Sequence, residues 1–222
     1  MKNNGSNGKN NETQVIIQSL ENSDNDNALL LNVLDDETKI EIIEDRFRDI
    51  MSVLGLNLKN DSLKDTPGRV AKMFVKEIFS GLNPENKPKV SLFKKTFHSD
   101  QMIVERDITI YSYCEHHFVP IIGRAHVAYF ANEFVIGLSK LNRIVQFYSK
   151  RPQLQERLTH QISEELITIL NTNDVAVVIE ADHLCIKSRG IEDVNSRTFT
   201  SEYNGRFLEP EIRNEFINYI KK

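Results

Sequence analysis

The chain has no tryptophan and only two cysteines in 222 residues. Two cysteines close one disulfide at most, which excludes a disulfide-stapled scaffold. Long hydrophobic runs are also missing. None exceeds five residues, far short of the roughly 20 a transmembrane helix needs, so no membrane association is expected. The opening MKNNGSNGKNNETQ is polar and lacks the apolar stretch of a signal peptide. The expected setting is therefore the cytoplasm, with both thiols free or bound to metal. A basic excess is absent too. The formal net charge is −4, which argues against a dedicated nucleic-acid binder but leaves room for a local basic pocket that takes a small anion.

What is present falls into three stretches. Residues 1–34 are rich in Asn, Ser, Asp and Gly and are expected to form a mobile polar tail without a role. Residues 35–95 carry helical patterning. Ile40, Ile43, Phe47, Ile50 and Leu54 recur at steps of three and four, predicting a helix that Gly55 ends. Thr66-Pro67 announces a second helix, with Thr66 as N-cap, an apolar face of Val70, Met73, Phe74 and Ile78, and Gly81 at its close. Residues 96–222 mix strands and helices. Strands are expected over 102–113, 124–130, 134–138, 175–179 and 198–203, and helices around Leu141–Tyr148, Leu154–Ile169 and Glu211–Ile220. No internal repeat is visible. The pattern is that of an α+β domain with a mainly antiparallel sheet and an N-terminal helical extension.

Three groups of residues could carry chemistry. In Cys114-Glu115-His116-His117 the cysteine and the second histidine are three apart, so one turn at a strand end brings a thiolate and an imidazole to one ion. Cys185 lies far downstream with His183 two residues before it, on the same side of an extended segment. Cys114, His117 and Cys185 would make a Cys₂His set suited to Zn2+. Three protein ligands leave a fourth position for water, whose pKa zinc brings down to about 7. Two buried free cysteines, or a closed structural site with His116 or His183 as fourth ligand, remain open on spacing alone. The second group is Gly137-Leu138-Ser139-Lys140-Leu141-Asn142-Arg143. Ser139 is expected to cap a helix whose free N–H groups, with Lys140 and Arg143 on one face, suit phosphate oxygens. A capped helix with a solvated basic face is the plainer alternative. Arg69 and Arg189 are further basic candidates. The third group is Gln155-Glu156 at the start of a long helix, where a carboxylate could accept from the two adjacent N–H donors of guanine or simply face the helix dipole.

Together these stretches resemble the GTP cyclohydrolase I family from about Asp65 to Phe207. The match is densest in CEHHFVP, GLSKLNRIVQFYSKRPQLQERLT, ADHLCIKSRG and NSRTFTS. The resemblance implies a T-fold, a four-stranded antiparallel sheet backed by two helices. It implies a toroidal homodecamer with active sites between subunits, and GTP as substrate. It implies zinc on Cys114, His117 and Cys185, and catalytic positions at His116, His183 and Ser139. Gln155 and Glu156 fall at guanine recognition, and Lys140, Arg143, Arg189 and Arg69 around the triphosphate and ribose. The implied reaction turns GTP and water into 7,8-dihydroneopterin triphosphate and formate. The non-enzyme alternative is a zinc-stabilised regulatory or assembly protein that binds GTP without turnover.

Overall fold

The structure, a computed structural model, describes residues 34–97 and 100–221. The expected tail of residues 1–34 lies outside them apart from its last residue. Helix α1, Asp36–Val53, is capped by Asp35, whose carboxylate accepts from the Thr38 N–H at 2.7 Å. It ends as expected before Gly55, which takes a left-handed φ of 78°. Its apolar face is only partly used. Ile50 is 52% exposed and Leu54 69%, while Met51 is the buried residue. Helix α2, Thr66–Lys72, starts one residue earlier than expected. Asp65 is the N-cap residue and makes no side-chain cap bond. The helix widens into a π-helical turn over Met73–Ile78, closed by the Phe79 N–H on the Phe74 carbonyl. Gly81 then passes so close to the Phe147 carbonyl that a Cβ there would lie 2.1 Å from it.

The main sheet holds β2 (Met102–Cys114), β3 (Pro120–Phe130), β5 (Pro152–Gln153), β6 (Val175–His183) and β7 (Thr198–Tyr203), in the order β5-β2-β3-β6-β7. The four long strands are antiparallel. The two-residue β5 joins the edge in parallel, Tyr113 opposite Pro152 and Cys114 opposite Gln153. The sheet therefore has five strands, one more than the four expected. A separate two-stranded ribbon pairs β1 (Leu92–Lys94) with β4 (Phe134–Ile136). β4 lies within the strand expected over 134–138, whereas β1 and β5 are too short to carry a period that sequence could show.

Helices α3 (Leu138–Ser149) and α4 (Gln155–Leu170) lie on one face of the sheet. There Leu141, Ile144, Val145, Leu158, Ile162 and Leu166 meet Ile110, Val127, Val177 and Ile179, each at 1% exposure or less. The C-terminal helix α6 (Pro210–Ile220) and the 3-10 turn Gly205–Leu208 cover part of the other face, where Phe207 and Phe216 pack on Phe130, Ala128, Ala176 and Val178. Coverage on both sides explains why Val175–Ile179 is an unbroken apolar run. No helix among the described residues is long and apolar enough to cross a membrane.

Candidate metal centre and its surroundings

Three chain turns build the site at one end of the sheet. At the end of β2 the Cys114 N–H bonds the Val119 carbonyl at 2.9 Å, and the Phe118 N–H returns to the Cys114 carbonyl at 2.8 Å. Phe118 accepts a left-handed φ of 51° to turn the chain into β3. Its ring packs edge-on against Phe79. This turn brings the His117 Nδ1 to 3.9 Å from the Cys114 Sγ. β3 pairs with β6 so that Ile121 faces His183. Beyond His183 the chain enters a single helical turn, α5 (Leu184–Lys187), which carries Cys185. The expected extended segment across His183 and Cys185 is thus absent. His183 ends the strand and acts as N-cap residue of the turn. Ligand atoms of Cys114, His117 and Cys185 all lie within 4.8 Å of one another.

The donor set fits zinc. Ligands about 2.0–2.3 Å from a tetrahedral ion lie about 3.3–3.8 Å apart, close to the Cys114–His117 separation of 3.9 Å. Burial and the neighbouring Cys114 thiol push the Cys185 thiol above its ordinary pKa. Two adjacent thiols resist ionising together unless a cation joins them. Cys114 is buried, Cys185 half-buried and His117 exposed, so the group opens to solvent on the imidazole side.

β5 brings the third turn alongside. The Glu115 N–H bonds the Gln153 carbonyl at 3.1 Å, and α4 begins two residues later. Arg157 grips Glu115 with two guanidinium nitrogens, at 2.5 and 3.1 Å, and this contact holds the Glu115 carboxyl below its usual range. Sequence reasoning assigned no role to this pair. Its members are 42 residues apart, and only the sheet order makes them neighbours. Glu156 is exposed and makes no hydrogen bond or ion pair among the described residues. Gln155 is 2% exposed and turns inward. Its Nε2 lies 3.1 Å from the Ile179 and Thr198 carbonyls and from Thr200 Oγ1, and its Oε1 lies 2.7 Å from His183 Nε2. Burial pushes the His183 imidazole below its ordinary pKa, with Glu156 and Asp182 pulling the other way. Arg189 is exposed, and its charge favours the Cys185 thiolate.

The other expected residues lie elsewhere. Helix α3 starts at the opposite end of the sheet, near Glu105 of β2, on which the Asn142 amide bonds at 3.4 Å. Its 12 residues span about 18 Å at 1.5 Å per residue. Ser139, Lys140 and Arg143 stand on its first turns, away from Cys114. Ser139 is not the N-cap. Gly137 takes that place with extended backbone and no side-chain cap bond, which leaves Ser139 exposed in the first turn. Arg69 is exposed on α2 and pairs with Asp65 at 3.5 Å. His116 is exposed beside His117, ring centroids 6.2 Å apart.

Helices on a mainly antiparallel sheet, a Cys-His-Cys donor group open on one side and two further histidines beside it define a class, an α+β enzyme with a candidate metal centre. The chain belongs to the GTP cyclohydrolase I family, whose model matches residues 43–221. It is 58% identical over 186 residues to a Flavobacterium johnsoniae protein named GTP cyclohydrolase 1, covering 84% of this chain and 83% of the relative. An Aeromonas hydrophila protein of the same name is 49% identical over 212 residues, covering 95% and 97%. A third, from Mannheimia succiniciproducens, is 52% identical over 181 residues, covering 81% and 83%.

Proposed function

We propose that this protein converts GTP and water to 7,8-dihydroneopterin triphosphate and formate on a zinc ion held by Cys114, His117 and Cys185. The observation that carries the reading is the convergence of those three donors within 4.8 Å beside His183. Bound zinc would supply a Lewis-acidic position that makes water available as hydroxide near neutral pH. The chain's own residues do the rest. Glu156, with a free carboxylate, accepts from guanine N1–H and the 2-amine and fixes the base. His183 gives a proton to N7 as the five-membered ring opens at C8. After formate leaves, His116 and Ser139 move protons as the ribose opens and rearranges. Lys140, Arg143, Arg189 and Arg69 hold the triphosphate.

One chain does not assemble this site. Ser139, Lys140 and Arg143 stand a helix length from the metal donors, so a second copy must present its α3 start to the first copy's metal end. The exposed Ile50 and Leu54 of α1 and Phe93 of β1, the last 58% exposed, are apolar surface that such contacts would cover. This supports sites shared between subunits, and the assembly we propose is a T-fold homodecamer working in the cytoplasm.

Cys185→Ser tests the metal assignment. It should lower zinc content and abolish formate release. Full turnover in a metal-free variant would remove zinc from the reaction.

A further inference from the structure

The Gln155 side-chain amide can be oriented from its partners alone. Its nitrogen end lies 3.1 Å from the Ile179 and Thr198 carbonyl oxygens, and those oxygens only accept. The NH₂ therefore faces them, and Oε1 faces His183. An oxygen at 2.7 Å from His183 Nε2 needs a hydrogen between the two atoms. The amide oxygen has none, so the imidazole supplies it.

We infer that Gln155 is a positioning residue that fixes the His183 Nε2–H on its own amide oxygen, leaving Nδ1 with the lone pair that takes the proton released by the attacking water and hands it to N7. This rests on the proposed role of His183. A closed circuit keeps the amide in place. Gln155 Nε2 shares one of its two hydrogens between a carbonyl and Thr200 Oγ1 at 3.1 Å, the Thr200 hydroxyl donates to Thr159 Oγ1 at 2.6 Å, and Thr159 donates back to the Gln155 main-chain carbonyl at 2.8 Å. Thr159 is 1% exposed and Gln155 2%, so water does not compete at that side of the circuit, and Thr200 is half-buried. Every polar atom of the Gln155 side chain is thereby occupied. The pair Gln155-Glu156 divides its work. Glu156 is left to meet guanine's donors, and the Gln155 side chain serves the neighbouring imidazole instead of the base. A histidine in the wrong tautomer presents a hydrogen where a lone pair is needed, which is why such supporting groups matter.

The test uses zinc-loaded full-length protein, wild type and Gln155→Met, with GTP and inosine triphosphate, which lacks the 2-amine. The variant should lose about 10–100-fold in kcat. Its KM for GTP and its preference for GTP over inosine triphosphate should stay as in wild type. A collapse of that preference, or an unchanged kcat, would overturn the inference. Because Gln155→Met strands two buried carbonyls and could unfold, nitrogen NMR of histidine-labelled wild type decides independently. His183 should show a protonated, pyrrole-type Nε2 and a pyridine-type Nδ1, and the reverse assignment would refute the inference. His183→Ala, assayed alongside, separates the two claims. If it still releases formate, the acid role itself has failed and this inference falls with it. If it does not, while Gln155→Met keeps full kcat, only the positioning role has failed.

Discussion

Removing the metal should stop turnover and leave the fold standing. The donors sit at one end of the sheet: Cys114 at the last position of β2, His117 on the turn after it and Cys185 on the short helix after β6. Cys114 is the last residue of the main core at that end, with Cys185 packed against it, and the bulk of both cores lies away from the donors. One is under α3 and α4, and the other is under α6. Metal binding then adds to stability by mass action. At free metal about 1,000 times its Kd it contributes about 4.1 kcal/mol. For a chain of this size each kcal/mol moves Tm by about 2–4 °C, so chelation should lower Tm by roughly 8–16 °C. A zinc that holds a domain together contributes about 10–16 kcal/mol, and its loss unfolds the domain. The assay is a chelator titration that follows metal content, circular dichroism, calorimetry and GTP turnover in one sample. Turnover should fall in step with metal while the cooperative melt persists at lower temperature. Loss of the melt at 25 °C on chelation would show that the site is structural and refute the reasoning.

Other tests probe separate links. Glu156→Ala should relax selection of GTP over ATP by about 10² or more, since a buried donor pair on the base loses its acceptor; equal selection by both proteins would remove its role. Gly81→Ala places a Cβ 2.1 Å from the Phe147 carbonyl and 2.8 Å from that of Lys150. Main chain must shift at a cost of roughly 1–3 kcal/mol, and an unaltered Tm would contradict the packing at this crossing. His126 is 4% exposed, and burial holds its pKa below the ordinary 6.5, against the pull of Asp107 and Glu180 and with the help of Arg124 and Arg106. Its contribution is whole above pH 6.5. As pH falls further the unfolded chain takes up a proton that the folded chain refuses, and stability is lost. His126→Gln should flatten the fall of Tm with pH below that point, and an identical slope would refute the assignment.

How far the sequence could be read depended on how local each feature is. The strand Val175–Ile179, the long helix from Leu154 and the glycine after α1 all announced themselves, because periodicity and a left-handed glycine are written within a few neighbouring residues. β4 falls within the extended stretch expected at 134–138, but β1 and β5 did not announce themselves, being too short for any period. Ser139 looked like a cap because serine favours that place, yet Gly137 holds it, with its N–H bonded to the Ser91 carbonyl at 3.3 Å. The metal donors were visible as residue types. The helical turn that carries Cys185 was hidden, since the extended chain ends at His183, two residues before Cys185. The Glu115–Arg157 clamp and the Gln155–His183 bond were out of reach. Both join residues far apart in the chain that only the order β5-β2-β3-β6-β7 brings together.

The central claim is tested most directly by incubating the zinc-loaded protein with GTP and measuring formate alongside the fluorescence of the pterin formed on oxidation. The account predicts one formate for each GTP consumed and a pterin that keeps its triphosphate. GTP left intact, or GDP and phosphate in place of formate, would contradict it.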